Sequence, residues 1–325
     1  MTISRRMQDR RRAPPERAGR AAASGAVLGL ALFLAMPAVA AETDDLDALR
    51  QRALELANQD RAAHDLPALE LQPALNAAAQ AHAEDMLEDG YFAHVAPDGT
   101  GPQDRYLAAG GSRAKVVREN IARCSGCPVP PTLQRVEAFE TGWMNSPEHR
   151  RNLLSEGLAG FGYGIAGADG RVYGVQLFAG PGTSPSVGPD QAAAPIPPGE
   201  RSAAMVRLLD QAREGQPALA ADDALAAAAA DLLDQREAGG ETRLFEALPS
   251  GERRNWRSLK VLTAGCGGCG TAITDADLHF FRDQWMQDPQ FSAALTSERY
   301  GAVGAAFEAD GEGGKQALVV LGERR

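Results

Sequence analysis

The sequence predicts an α+β fold in which one structural unit is built twice. Each half opens with an alanine-rich stretch of helical character, at Leu75–Ala83 and at Leu225–Leu233. Each half ends with a short apolar stretch, at Val172–Phe178 and at Gln316–Leu321. Helices at the front of a unit and short, glycine-flanked strands at its back are typical of an antiparallel sheet that is covered by helices.

The first 41 residues are typical of a cleavable secretory signal. They contain seven arginines and two acidic residues, then the apolar run Gly25–Met36, then the small residues Ala38–Ala41. This is the order of a basic region, a short apolar core and an A-x-A cleavage site. The apolar run is shorter than the roughly 20 residues that span a bilayer. We therefore predict a secreted or periplasmic protein that has no transmembrane anchor after cleavage.

The charge of the mature chain excludes one class of partner. Cleavage after Ala41 removes those nine charged residues from a chain with 33 basic and 43 acidic residues, which leaves a net charge of about −15. Nucleic-acid binding depends on neutralisation of phosphates by lysine and arginine. We therefore expect no nucleic-acid partner.

Two helices are predicted at the front of the first half. The sequence Asp65-Leu66-Pro67 ends the first of them. In the second, small and apolar residues recur at helical spacing and form one stripe: Leu75, Ala79, Ala83 and Met86. His82 belongs to the same stripe, so we expect it to be a buried histidine that is hydrogen-bonded to the backbone.

A proline-rich and glycine-rich segment separates the two halves. Residues 181–200 contain few large apolar side chains, which is typical of a linker that proline stiffens. The predicted domains are therefore residues 42–180 and residues 201–325, and a chain of this length is expected to form two domains.

The two halves share landmarks in the same order. Each carries a C-x-x-C sequence, Cys124–Cys127 and Cys266–Cys269. Each then carries a Trp-Met segment, Trp143–His149 and Trp285–Phe291. The shared order indicates an internal duplication.

Three interpretations of the C-x-x-C pairs are open. The pairs could form a shared zinc site, a redox centre or two structural disulfides. Disulfides fit best, because the protein is expected to be exported and each pair recurs at the matching place in its own half.

Five motifs of the first half, taken together, resemble the CAP superfamily, which comprises cysteine-rich secretory proteins, antigen 5 and pathogenesis-related proteins. The motifs, in order, are Tyr91–Gly99, Arg118–Ala122, Trp143–Leu154, Gly162–Gly164 and Val175–Phe178. The resemblance covers about Leu46 to Gly180. It implies an α-β-α sandwich, here in two tandem copies, with a central cleft in which histidines and acids can hold a divalent metal.

The resemblance assigns three residues to that cleft: His94, Glu119 and His149. A fourth acid of the family falls at Ser146, so the set is incomplete and either Glu140 or Glu148 would have to replace it. Zinc is the metal that two nitrogens and one carboxylate oxygen suggest, with a position left for water. The competing hypothesis is a polar network that stabilises the cleft without metal.

Local sequence favours a neutral His149. Ser146-Pro147 reads as a helix start, with serine at the N-cap and proline at the first helical position. His149 then lies in the first turn, where the helix dipole disfavours the imidazolium. A histidine has to be neutral to bind a metal, because the imidazolium has no free lone pair. We also expect Arg105 to hold an acid of its own domain, and we interpret Asn120 as a turn former.

The second half is expected to lack the site. Alignment of the cysteine pairs places Val261 opposite Glu119, and alignment of the tryptophans places Phe291 opposite His149. His94 has no counterpart, and His279 falls on a helix as a surface or half-buried residue.

Two functions follow from these expectations. The first is a divalent-metal-binding interaction module that recognises an envelope, lipid or protein partner. The alternative is a metal-dependent hydrolase of peptide or ester bonds, with Glu119 or Glu140 as general base. The incomplete acid set favours the first.

Overall fold

A computed structural model describes residues 45–185, 193–213, 215–237 and 243–325. The predicted signal segment, residues 1–41, lies outside the described residues, as do residues 186–192 of the predicted linker. Thr43–Arg325 form one compact unit. Among the described helices, none has both the length and the apolar character needed to cross a membrane.

The first half is a four-stranded sheet between two helical layers. Its elements are α1 (Leu46–Ala62), β1 (Glu70–Leu71), α2 (Pro73–Asp89), α3 (Pro102–Ala108), β2 (Val116–Ser125), α4 (Leu133–Asn145), α5 (Pro147–Leu153), β3 (Gly160–Ala168) and β4 (Arg171–Gly180). The strand order is β1-β3-β4-β2, so β2 is an edge strand. One apolar core lies between the sheet and α1 with α4, and another lies between the sheet and α2 with α3.

The second half repeats this arrangement. Its elements are α6 (Pro198–Gln211), β5 (Ala220–Ala221), α7 (Asp223–Glu237), a 3₁₀ helix (Glu252–Asn255), β6 (Trp256–Cys266), α8 (Asp275–Gln287), α9 (Pro289–Leu295), β7 (Ala302–Ala309) and β8 (Lys315–Arg324). The strand order β5-β7-β8-β6 matches that of the first sheet. The predicted α+β sandwich in two copies is therefore confirmed, with a 3₁₀ turn in the place of α3.

A buried arginine braces each half at the same place. Arg61 donates from Nη1 to the carbonyls of Leu153 and Ser155, at 2.8 and 3.0 Å. Arg213 reaches the carbonyls of Leu295 and Ser297, the matching residues after α9. Each guanidinium thus satisfies carbonyls at the C-terminal end of a short helix that would otherwise lack donors.

Each cysteine pair is bonded within its own half. The Cα atoms are 6.0 Å apart in Cys124–Cys127 and 6.2 Å apart in Cys266–Cys269, which is within the range of disulfides. The pairs thus have the placement that the disulfide interpretation expects.

The two halves touch through the second cysteine loop. The amide of Gly268 donates to the carbonyl of Ala114 at 2.7 Å, and the amide of Gly270 donates to the carbonyl of Pro181 at 2.7 Å. Lys115 Nζ lies 2.7 Å from Glu312 Oε2. The contact therefore uses backbone hydrogen bonds and one ion pair.

Helix α2 lies directly against strand β3, because β3 presents glycines to it. A Cβ at Gly162 would lie 2.2 Å from the backbone of Leu75, and one at Gly164 would lie 2.2 Å from the backbone of Ala79. Real Cβ atoms do not come this close to backbone, so any side chain here would force the helix away from the sheet.

We expect Gly164→Ala to lower the free energy of unfolding by about 1–3 kcal/mol, because overpacking against a helix backbone cannot be relieved by a rotamer change. The matched control is Gly142→Ala in α4, where an added Cβ meets nothing within 4 Å. That substitution should stabilise by roughly 0.5–1 kcal/mol, since alanine favours helix. Urea unfolding of both variants measures the difference, and equal effects would contradict the close packing.

Candidate functional site

Glu119 lies at the centre of the polar group in the first half. It is on the edge strand β2 and is 5% exposed. Its Oε1 accepts from His94 Nδ1 at 2.8 Å, and its Oε2 accepts from Arg105 Nη2 at 2.8 Å. His82 Nε2 lies 3.9 Å from Oε1. One carboxylate therefore gathers two histidines and an arginine.

Arg105 holds both the carboxylate and the loop that carries His94. It lies on α3 and donates to the carbonyl of His94 at 2.9 Å and to that of Thr100 at 2.9 Å. The expectation that Arg105 holds an acid of its own domain is confirmed, and the acid is Glu119. His94 itself stays accessible, since 49% of its side chain is exposed.

His82 supports the same loop from beneath. It is fully buried on α2, and its Nε2 lies 3.0 Å from the carbonyl of Ala93, the residue before His94. Burial lowers the pKa of His82, opposed by the negative charge of Glu119. The prediction of a buried histidine bonded to backbone is confirmed, but its approach to Glu119 was not foreseen.

His149 lies on α5 and is half-buried. The helix begins at Pro147 after Ser146, as predicted, although the Ser146 side chain makes no capping hydrogen bond. The carbonyl of His149 accepts from Asn120 Nδ2 at 3.1 Å. Burial lowers the pKa of His149, and the charge of a nearby His94 lowers it further. The neutral form that the sequence suggests is thus favoured, with burial as the largest cause.

A second polar chain lies on the opposite face of the sheet. Asn120 follows Glu119 in β2, and successive side chains of a strand point to opposite faces. Asn120 Nδ2 donates to Gln176 Oε1 at 3.2 Å, and Gln176 Nε2 donates to Glu140 Oε2. Asn120 is therefore a buried strand residue, and its interpretation as a turn former is wrong.

Glu140 belongs to that second chain and faces away from the cleft. It is 4% exposed on α4, and burial, together with the charge of Asp60, raises its pKa to about 8. Because it meets Gln176 on the face opposite Glu119, the geometry does not bring it to His94 and His149. Glu148 is exposed in the first turn of α5.

The group around Glu119 does not form a three-ligand metal centre as it stands. Both carboxylate oxygens already accept from a protein donor, so direct ligation by Glu119 would displace His94 or Arg105. Across the described ranges, no group of three or more His, Cys, Asp or Glu side chains is arranged to hold a metal ion. Because a carboxylate only accepts, His94 Nδ1 carries a proton, and in the neutral ring the lone pair is then on Nε2. The residues that fit a metal are thus the rings of His94 and His149, with Glu119 behind them.

The second half replaces this polar group with apolar side chains. Val261 and Leu262 stand at the positions of Glu119 and Asn120, and Leu262 pairs with Val319 in β8. Phe291 packs against the apolar core. His279 is half-buried on α8, as expected.

Comparison with known proteins finds one family model that matches the first half. The family model described as the cysteine-rich secretory protein family, CAP, matches residues 54–178. The uncharacterized protein YkwD of Bacillus subtilis (strain 168) is 31% identical over 119 residues, which cover 37% of this chain and 43% of that protein. The chain spans less than half the length of the curated relatives it matches.

Two solved structures are also similar to this chain. An extracellular protein with an SCP domain from Bacillus anthracis str. Ames is 30% identical, with 41% of this chain and 40% of that chain covered and a TM-score of 0.34. Na-ASP-1 is 10% identical, with 88% of this chain and 91% of that chain covered and a TM-score of 0.36.

Glu140→Gln should change how stability depends on pH. The folded protein keeps the Glu140 proton up to a pKa of about 8, whereas the ordinary value is 4.5. The contribution of Glu140 to stability is therefore fully present below pH 4.5 and is lost as the pH rises through about 8. The neutral glutamine removes this loss.

Urea unfolding across this pH range, with a chelator present, measures the effect. The stability of wild type should fall relative to Glu140→Gln as the pH rises, and the exposed control Glu88→Gln should follow wild type. Parallel curves for wild type and Glu140→Gln would contradict a buried, proton-holding carboxyl.

Proposed function

We propose that the chain, whose residues 54–178 match the CAP family model, is an exported, divalent-metal-binding interaction module. The ring nitrogens of His94 and His149 hold the metal, and Glu119 orients His94. The observation that carries the proposal is the hydrogen bond from His94 Nδ1 to a buried carboxylate that Arg105 neutralises. Metal-binding histidines commonly donate their second ring N–H to a carboxylate in this way.

The electrostatics of the two rings support metal binding. The pKa of His149 is lowered by burial and by His94, so its imidazole stays neutral to a lower pH than usual. Two like-charged rings repel each other, whereas two neutral rings can share one cation. A bound metal would polarise its other ligands, and the protein's part is to hold the two rings in place.

An interaction role fits the site better than hydrolysis. A general base needs a carboxylate that is free to accept a proton, and both oxygens of Glu119 already have donors. Glu140 lies on the other face of the sheet. In addition, Phe92 and Val95 beside His94 are 37% and 53% exposed, which offers apolar surface to an envelope, lipid or protein partner.

Export is part of the proposal because residues 1–41 have the order of a signal segment. The net charge of the mature chain, about −15 by the same sequence, argues for a partner other than nucleic acid. Secretion and periplasmic residence both agree with the sequence.

Zinc titration by calorimetry tests the metal site. Wild type should bind about one Zn²⁺ per chain, and His94→Ala with His149→Ala should abolish that binding. Glu119→Gln should weaken it roughly 10–100-fold, the usual cost of losing a carboxylate behind a histidine ligand. His64→Ala, an exposed histidine after α1, is the matched control and should bind like wild type.

Two outcomes would overturn the proposal. Zinc binding that survives the double histidine substitution would place the metal elsewhere. Metal-dependent cleavage of a peptide or ester panel that disappears in Glu119→Gln would favour the hydrolase instead.

A further inference from the structure

A second acidic site lies in the first half, on the opposite face of the sheet from Glu119. A cavity of about 440 Å³ opens between α1 and α4. Asp60 and Gln59 line it from the last turns of α1, and Glu140, Thr141 and Asn145 line it from the last turns of α4. The proposed metal site at His94 and His149 does not use any of these residues.

Two carboxylates meet in this cavity without a donor between them. Glu140 is 4% exposed, and its Oε1 has no hydrogen-bond donor among the described residues. Asp60 lines the same cavity, and its charge contributes to the raised pKa of Glu140. Two interacting carboxylates need a shared proton or a cation, because both groups only accept when they are ionised.

The cationic residue that lines the cavity is already bonded to other carboxylates. Arg52 lines the same cavity, but its Nε and Nη2 donate to Glu137 Oε1 at 3.1 and 2.8 Å. Its Nη1 donates to Glu55 at 3.3 Å. These bonds engage the guanidinium of Arg52, and no other lysine, arginine or histidine is among the described lining residues of the cavity.

The backbone also contributes negative charge near the cavity. Helix α1 ends at Ala62 and helix α4 ends at Asn145, so the last turn of each helix lies beside the lining residues Asp60 and Asn145. A helix C-terminus carries a partial negative charge and favours a cation nearby. The two helix ends and the two carboxylates thus all favour a cation in the cavity.

The atoms available as metal ligands indicate which kind of cation the cavity suits. Carboxylate, amide and hydroxyl oxygens line the cavity, and no histidine or cysteine is among its described lining residues. Oxygen donors with water in the remaining positions suit a hard divalent cation, and a flexible, partly hydrated set suits Ca²⁺ better than Mg²⁺.

We propose that Asp60 and Glu140 bind a calcium-type cation that joins α1 to α4. Because only two carboxylates contribute, the expected dissociation constant is on the order of 10⁻⁴–10⁻³ M, the range of extracellular calcium modules. The site is separate from the cleft and does not depend on the function proposed for it.

The second half provides an internal comparison. Arg61 and Arg213 make matching contacts, so Ala212 stands at the position of Asp60. Trp143 and Trp285 match, so Arg282 stands at the position of Glu140 and pairs with Asp283. The second half therefore has no carboxylate pair at this place, and we expect one calcium-type site per chain.

Calcium titration of the chelator-stripped full-length mature protein tests the proposal. Calorimetry at about pH 9, where Glu140 with its pKa of about 8 is ionised, should show one weak Ca²⁺ site, and Asp60→Asn and Glu140→Gln should each weaken it at least tenfold. Tb³⁺, used as a calcium probe, should show emission sensitised by Trp143, which is one helical turn after Glu140, and Ca²⁺ should compete it away. Thermal melts in chelator check that both variants fold.

The controls separate this site from the cleft. Glu88→Gln removes an exposed carboxylate on α2 and should leave Ca²⁺ affinity unchanged. His94→Ala with His149→Ala should also leave it unchanged, while abolishing zinc binding. No Ca²⁺ or Tb³⁺ binding by wild type, or binding that Asp60→Asn and Glu140→Gln leave intact, would overturn the proposal.

Discussion

The direct contact between helix α2 and strand β3 sets the position of the whole cleft. Gly162 and Gly164 let the helix backbone lie on the strand, at a distance that no side chain would permit. With α2 packed this closely on β3, His82 on α2 reaches the carbonyl of Ala93. That contact holds the following residue, His94, over Glu119. The close packing of the two backbones thus determines the position of the buried His82. His82 in turn determines the position of the exposed His94 ring.

The same constraint operates in the second half, where Val261 and Phe291 stand at the positions of Glu119 and His149. A Cβ at Gly304 in β7 would lie 2.0 Å from the backbone of Ala226 in α7. The buried arginine braces also recur, at Arg61 and Arg213. Close helix packing and the braces therefore belong to the scaffold. The side chains that differ between the halves, such as Glu119 and Val261, are those that the scaffold does not need.

Much of the fold could be predicted from the sequence, because its signals are local or repeated. The duplication follows from the shared order of landmarks, the start of α5 follows from Ser146-Pro147, and the burial of His82 follows from helical spacing. Which face of the sheet an acidic residue on a helix contacts depends on how the helix packs in the tertiary structure. Helical spacing alone does not place Glu140, so the sequence left it as a candidate for the cleft.

Two further site features depended on long-range pairing. Asn120 looked like a turn residue because it follows another polar residue, but both lie within one strand and point to opposite faces. Its partner is Gln176, an isolated polar residue in an apolar strand, and that isolation was the signal that could have identified the pair. Arg105 could be expected to hold an acid, but only the folded loop shows that it occupies the second oxygen of Glu119.

The edge position of β2 explains how one strand can serve two separate polar groups. Glu119 and Asn120 are neighbours that face opposite helical layers, and α5 lies along the free edge between those layers. His149 therefore contributes its ring beside His94 while its carbonyl accepts from Asn120. In the second half, Leu262 and Phe291 replace the polar side chains at the corresponding points, and apolar packing fills both faces. The polar chemistry of the first half thus depends on a single dipeptide on an edge strand, within a scaffold that keeps the same strand order in the second half without it.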